Sequence, residues 1–341
     1  MRENTSDGGF SSFVRGEKTV SLSATVLMCA IYALLLLSRV LIYLFPDLFS
    51  GASLEADGDY LSTILLQIVI FFVPTYVYLR YKGKGSITTE IFKSRISPRS
   101  FRLSHLFLML ASILVLICGC TLLALLCGMM ADQSSFTLYD TFSAAYDGTL
   151  MGVLRLVLTY GILPAVCEEI IFRGIVCAEY EKYGILYSSL ISALFFAFLH
   201  FDLSAFPVYL FAGLVLAFVM YVSRSVIAAV VVHLGYNLFG IFAQAGLSGY
   251  CRSTGSVGLL VILLIAFLLL GAAFFCGEVA RILRGRAESN IMADASETAT
   301  PGISNLKGKE WIHATLSAFA SPAAVLCLVM WLATVITGFF V

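Results

Sequence analysis

The sequence predicts an all-α protein: a polytopic transmembrane helical bundle of eight or nine spans with a central polar cavity. Three observations carry that prediction. Of the 341 residues, 60% are hydrophobic and 12% charged, against roughly 25% charged in a soluble domain. Apolar runs of bilayer length recur along the chain, and mean hydropathy is +0.95. Several ionisable residues stand inside those runs, where a charge is expensive and survives mainly when it is paired or functional.

Runs long enough to span fall near 21–45, 60–79, 103–127, 149–183, 184–200, 205–222, 226–247, 256–280 and 312–340, each reaching at least the ~17 residues that a bilayer asks for. The first has no small-residue cleavage site at its end and reads as a retained helix. Lys and Arg set the orientation. The connection 80–102 carries Arg80, Lys82, Lys84, Lys93, Arg95, Arg99 and Arg102, and the stretch after the eighth run carries Arg281, Arg284, Arg286, Lys307 and Lys309; connections 46–59, 128–148 and 201–206 carry none. The positive-inside rule therefore places the N-terminus, 80–102, the turns at Lys182 and Arg224, and 281–311 in the cytoplasm. The implied organisation is a cytoplasmic tail (1–20), N-terminal helices (21–144), a core bearing the intramembrane polar groups (145–247), an additional helix (248–284), a polar linker (285–311) and a C-terminal helix (312–341).

Formal net charge is zero, and the basic residues lie between apolar runs, which excludes a nucleic-acid-binding surface. The partners expected are the lipid bilayer and a membrane-associated peptide or protein; nothing specifies an oligomeric state. The cysteines lie mostly within apolar segments, without CxxC or His-spaced patterns, and read as small packing residues. Cys167 directly precedes two glutamates, whose charge opposes a thiolate there.

Four sites carry the chemistry. Glu168 and Glu169 are adjacent, with Arg173 four residues after Glu169. Residues four apart share a helix face, so Glu169 and Arg173 form an internal ion pair that lowers the cost of burying both. Glu168 points about 100° away and lacks a local cation, which makes it the candidate general base. A purely architectural clamp accounts for Glu169 and Arg173 but leaves Glu168 unexplained. His200 ends the fifth run, four residues after Phe196; His233 and Asn237 share a face of the seventh, both able to donate to a developing oxyanion. The plainer reading of these polar residues is helix-to-helix glue. If the chain reverses near Tyr183 and Gly184, Glu168 and His200 reach nearly the same depth, ~22 to 24 Å from the turn, with His233 and Asn237 at ~14 to 20 Å. The groups then converge near mid-membrane, where a site needs a water-filled cavity.

The ordered set Glu168-Glu169-x-x-x-Arg173, Phe196-x-x-x-His200 and His233-x-x-x-Asn237 resembles the CPBP family, which comprises the CAAX proteases related to the Ras-converting enzyme and the bacteriocin-processing or abortive-infection proteins. The stretch Gly213 to Ser225 resembles that family's helix and basic turn, and the resemblance covers roughly residues 145–245. It implies an intramembrane endopeptidase in which Glu168 activates water with help from His200, His233 and Asn237 hold the oxyanion, and Glu169, Arg173 and Phe196 support the site. No Ser or Cys sits in a nucleophile context, so hydrolysis proceeds without a covalent intermediate. A metal-free mechanism is favoured and no cofactor is required; the rival makes Glu168, His200 and His233 ligands of zinc or another divalent ion. The resemblance leaves prenylated CaaX peptides and bacteriocin-like precursors both open as substrates. A non-enzymatic alternative is a transporter, channel or bacteriocin-immunity partner using buried Glu and His for proton coupling or packing. Short outer loops and basic inner connections fit a bacterial plasma membrane.

Overall fold

The computed structural model describes residues 24–41, 44, 57–82, 86–130, 149–243, 246–247, 249, 253, 257–292 and 308–338. The tail expected at 1–20, most of the connections expected at 46–59 and 128–148, and linker positions 293–307 lie outside them. Every described element is helical, as the apolar periodicity requires of a chain whose backbone must be satisfied inside lipid.

Six described helices are long and apolar enough to cross a bilayer: α1 (Ala24–Leu41), α2 (Asp57–Lys82, apolar over Thr63–Lys82), α4 (Leu106–Met130), α5 (Leu150–Tyr183), α7 (Phe206–Ser223) and α9 (Val257–Met292). The chain is an integral membrane protein. Three runs counted in the expected eight or nine spans are shorter helices: α6 (Ile185–Leu199), α8 (Val226–Phe242) and α11 (Pro322–Gly338). The 15 residues of α6 cover only ~22 Å at 1.5 Å per residue. The last apolar run is broken, because a separate helix α10 (Lys309–Phe319) precedes Pro322, the first residue of α11.

The basic connection 80–102 contains a helix of its own, α3 (Ile87–Ile96), capped by Ser86 Oγ accepting from Thr89 N–H at 3.2 Å. Phe92 of α3 packs onto Gly174 of α5, where a Cβ would meet the ring at 2.9 Å. Arg95 pairs with Glu181 at 2.5 Å, and Lys82 and Tyr78 of α2 both reach buried Glu179. These contacts fix the Lys182 end of α5.

Two π-helical turns, Val157–Ile162 and Ile170–Val176, interrupt α5 on either side of the glutamates. Their closing bonds run five residues back, Leu163 N–H to Leu158 O and Cys177 N–H to Phe172 O. Pro164, lacking an N–H, follows the first. Such wide turns are rare and tend to occur at functional sites.

α6 and α7 pack closely, and α4 contacts α7, α8 and α9. Gly213 of α7 allows that approach, since a Cβ there would lie 2.8 Å from Ala193 Cα of α6. On its other face α6 carries an aromatic column shared with the C-terminal helices: Tyr187 meets Trp311 at 5.3 Å, Phe195 meets Phe319 at 6.0 Å, and Phe198 meets Trp331 at 5.1 Å between centroids. α1 is tied to the same helix by Tyr32, whose hydroxyl donates to Phe195 O at 2.7 Å. The described cysteines are free thiols, five of them buried, in keeping with packing roles.

Candidate active site

The short segment Leu163–Glu169 between the π turns presents the carboxylates. Glu169 and Arg173 are fully buried, and Arg173 Nη1 donates to Glu169 Oε1 at 2.8 Å, the four-residue pair expected. Arg173 Nη2 donates to the carbonyl of Gly213 at 2.9 Å, and its guanidinium lies 4.6 Å from the Phe196 ring centroid. Phe196 therefore meets the buried Glu169–Arg173 pair through a cation–π contact, one that its spacing from His200 does not disclose.

Glu169 has a second partner. His233 Nδ1 lies 2.9 Å from the same Oε1; a carboxylate only accepts, so the ring donates. Its other nitrogen, Nε2, stands 3.9 Å from Glu168 Oε2. The imidazole of His233 thus bridges the two glutamates. Glu168 is 8% exposed, and its Oε2 has no hydrogen-bond partner among the described residues. Its imidazole neighbour is His233; His200 reaches the site past Phe196, whose ring centroid is 5.0 Å from that of His200 and 5.9 Å from that of His233.

His200 closes α6. Its Nδ1 lies 2.9 Å from Phe196 O, a carbonyl that can only accept, so Nδ1 bears the hydrogen and Nε2 is the nitrogen left for chemistry. The ring stacks on Tyr209 of α7 at 3.7 Å. The next residue, Phe201, has φ +52°, a left-handed conformation strained for a bulky side chain. Its ring is held edge-on to Tyr32 at 5.5 Å and beneath the Arg39 guanidinium at 5.3 Å. That turn stops α6 at His200.

Asn237 donates one amide hydrogen to Gly161 O, in the first π turn, at 3.3 Å; the neighbouring Thr159 O accepts from Gln67 of α2 at 3.2 Å. Both histidines and Asn237 line one pocket of about 160 Å³, together with Phe196, Tyr209 and Tyr236. A single water needs ~10–15 Å³ of such volume, so the pocket accommodates several.

Residues 150–239 match the family model described as Rce1-like, type II CAAX prenyl endopeptidase. Over that stretch, about a quarter of the chain, the sequence is similar to the CAAX prenyl endopeptidases. Comparison with curated proteins and with solved structures finds no match. The Rce1-like stretch starts with α5 and ends within α8, so it contains both glutamates, Arg173, both histidines and Asn237. Gln67, Tyr32 and Arg39, which brace that core, lie outside it. Sequence reasoning missed Tyr209, Phe201 and Gln67, because each acts by a contact between helices that no spacing announces. Among the described residues no three His, Cys, Asp or Glu side chains form a set placed to hold a metal ion.

Proposed function

We propose that this chain is an intramembrane endopeptidase of the CAAX-protease type, acting on a membrane-associated peptide or protein with a water activated by Glu168. One observation carries the reading: His233, anchored to Glu169, turns its free nitrogen toward Glu168 and itself lines a pocket that His200 and Asn237 also line. Glu168 Oε2 removes a proton as the water oxygen attacks the scissile carbonyl carbon; the same carboxyl then passes that proton to the departing amide nitrogen as the C–N bond breaks. His200 Nε2 accepts a hydrogen bond from the water and fixes its approach. The negative oxygen of the tetrahedral intermediate is held by the second amide hydrogen of Asn237 and, when the ring is doubly protonated, by His233 Nε2–H. Glu169 and Arg173 act through His233 as positioning residues.

The donor-set geometry favours this metal-free route over the zinc alternative. The test is cleavage of a library of membrane-anchored peptides, prenylated CaaX sequences included, by the purified chain in lipid nanodiscs. Cleavage that survives a strong chelator and disappears in Glu168→Gln supports the reading. Undiminished cleavage by Glu168→Gln overturns it, as does ion flux without any cleavage; activity restored only by added zinc overturns the metal-free part.

A further inference from the structure

Away from the protease core, arginines from three separated stretches gather at one end of the bundle. Arg102 precedes α4, Arg224 makes the turn between α7 and α8, and Arg281 and Arg286 lie toward the C-terminal end of α9. Three tethers bring the stretches together. Ser100 Oγ donates to Ser225 Oγ at 2.9 Å, Arg281 Nη2 donates to Ser104 O at 2.8 Å, and Arg286 Nη2 donates to Val222 O at 2.5 Å. Arg102 and Arg224 are exposed and act electrostatically on half-buried Arg286; Arg102, Arg281 and Arg286 act likewise on His105.

Glu278 acts on His105, and Arg281 already binds that glutamate at 2.6 Å. Among the described residues no carboxylate pairs with Arg102 or Arg224. His105 is 5% exposed, with no hydrogen-bond partner for Nδ1 among the described residues. The positive-inside rule asks for arginines at such helix ends, but not for three separate stretches laced into one cluster. Guanidinium groups held together repel one another unless they share an anion, and their planar forks match the oxygens of a phosphate. The cluster also sits at the ends of membrane-crossing helices, the depth of lipid headgroups.

We propose that Arg102, Arg224 and Arg286 form a binding site for a phosphate-bearing anion, supplied by the headgroup of an acidic phospholipid. Basic pockets between transmembrane helices are a recognised setting for such headgroups. The experiment measures lipid retention by native mass spectrometry, and thermal shift, for the full chain in neutral detergent with phosphatidylglycerol, phosphatidylcholine or inorganic phosphate. Phosphatidylglycerol is expected to be retained and to raise the melting temperature, with phosphatidylcholine inert. The double variant Arg102→Gln/Arg224→Gln, which keeps all three tethers, should bind on the order of 30-fold more weakly. Lys93→Gln, whose lysine is exposed and paired with Glu90, should match the wild type. An equal shift with inorganic phosphate supports the phosphate chemistry and assigns the site to the free anion. Equal retention of both lipids with no response to phosphate, or equal weakening by Lys93→Gln and the double variant, overturns the proposal.

Discussion

His233 gives its Nδ1 hydrogen to Glu169 Oε1 at 2.9 Å, across 64 residues of sequence, and that oxygen also receives Arg173 at 2.8 Å. Glu169 is therefore the joint between two helices rather than a local counter-ion. Its replacement has two separable effects: Arg173 loses its partner, and His233 loses its orientation.

Glu169→Ala should destabilise the fold by about 3–5 kcal/mol, the usual penalty for stranding one member of a buried pair. Chemical unfolding in mixed micelles checks this. The double variant Glu169→Leu/Arg173→Met should recover much of that loss in stability while remaining inactive, since His233 still has no acceptor.

Glu168→Gln removes no ion pair closer than 3.9 Å and keeps the side-chain volume, so its melting temperature should stay near that of the wild type. Peptide hydrolysis should fall by about 10²–10⁴-fold, the range for a lost general base. Measuring both on one preparation separates a failed mechanism from a failed fold.

Gly213→Ala tests the seam between α6 and α7. The added methyl would stand 2.8 Å from both Cα and Cβ of Ala193, forcing the helices apart and moving the carbonyl that holds Arg173. A destabilisation of about 1–3 kcal/mol is expected for such overpacking, readable as a lowered melting temperature.

The turn after His200 gives a prediction of sign. Phe201→Gly loses the contacts to Tyr32 and Arg39 but relieves the left-handed backbone, whereas Phe201→Ala loses the same contacts and keeps the strain. The alanine variant should be the less stable of the two, by about 1 kcal/mol, and thermal unfolding of the pair decides it.

The all-helical class was legible because lipid leaves so few ways to satisfy a backbone, and the Glu169–Arg173 pair because four residues on a helix place two side chains together whatever surrounds them. The count of spans was less so. Hydropathy reports that 184–200 is apolar, but not that Phe201 ends its helix after 15 residues. Likewise, spacing set Glu168 free of Arg173, yet its approach to His233 depends on how α8 is turned against α5. The helix α3 is hidden in sequence by its charges, because its place depends on Arg95 meeting Glu181 of another helix. The π turns left no periodic trace beyond Pro164.

The aromatic column along α6 bears on how the molecule comes into being. Tyr187, Phe195 and Phe198 are made and inserted before Trp311, Phe319 and Trp331 have left the ribosome. Until then that side of α6 has only lipid or α1 to lean on. The helix that ends in His200 thus gains its last wall only when the C-terminal helices arrive, after every residue of the candidate site has already been synthesised.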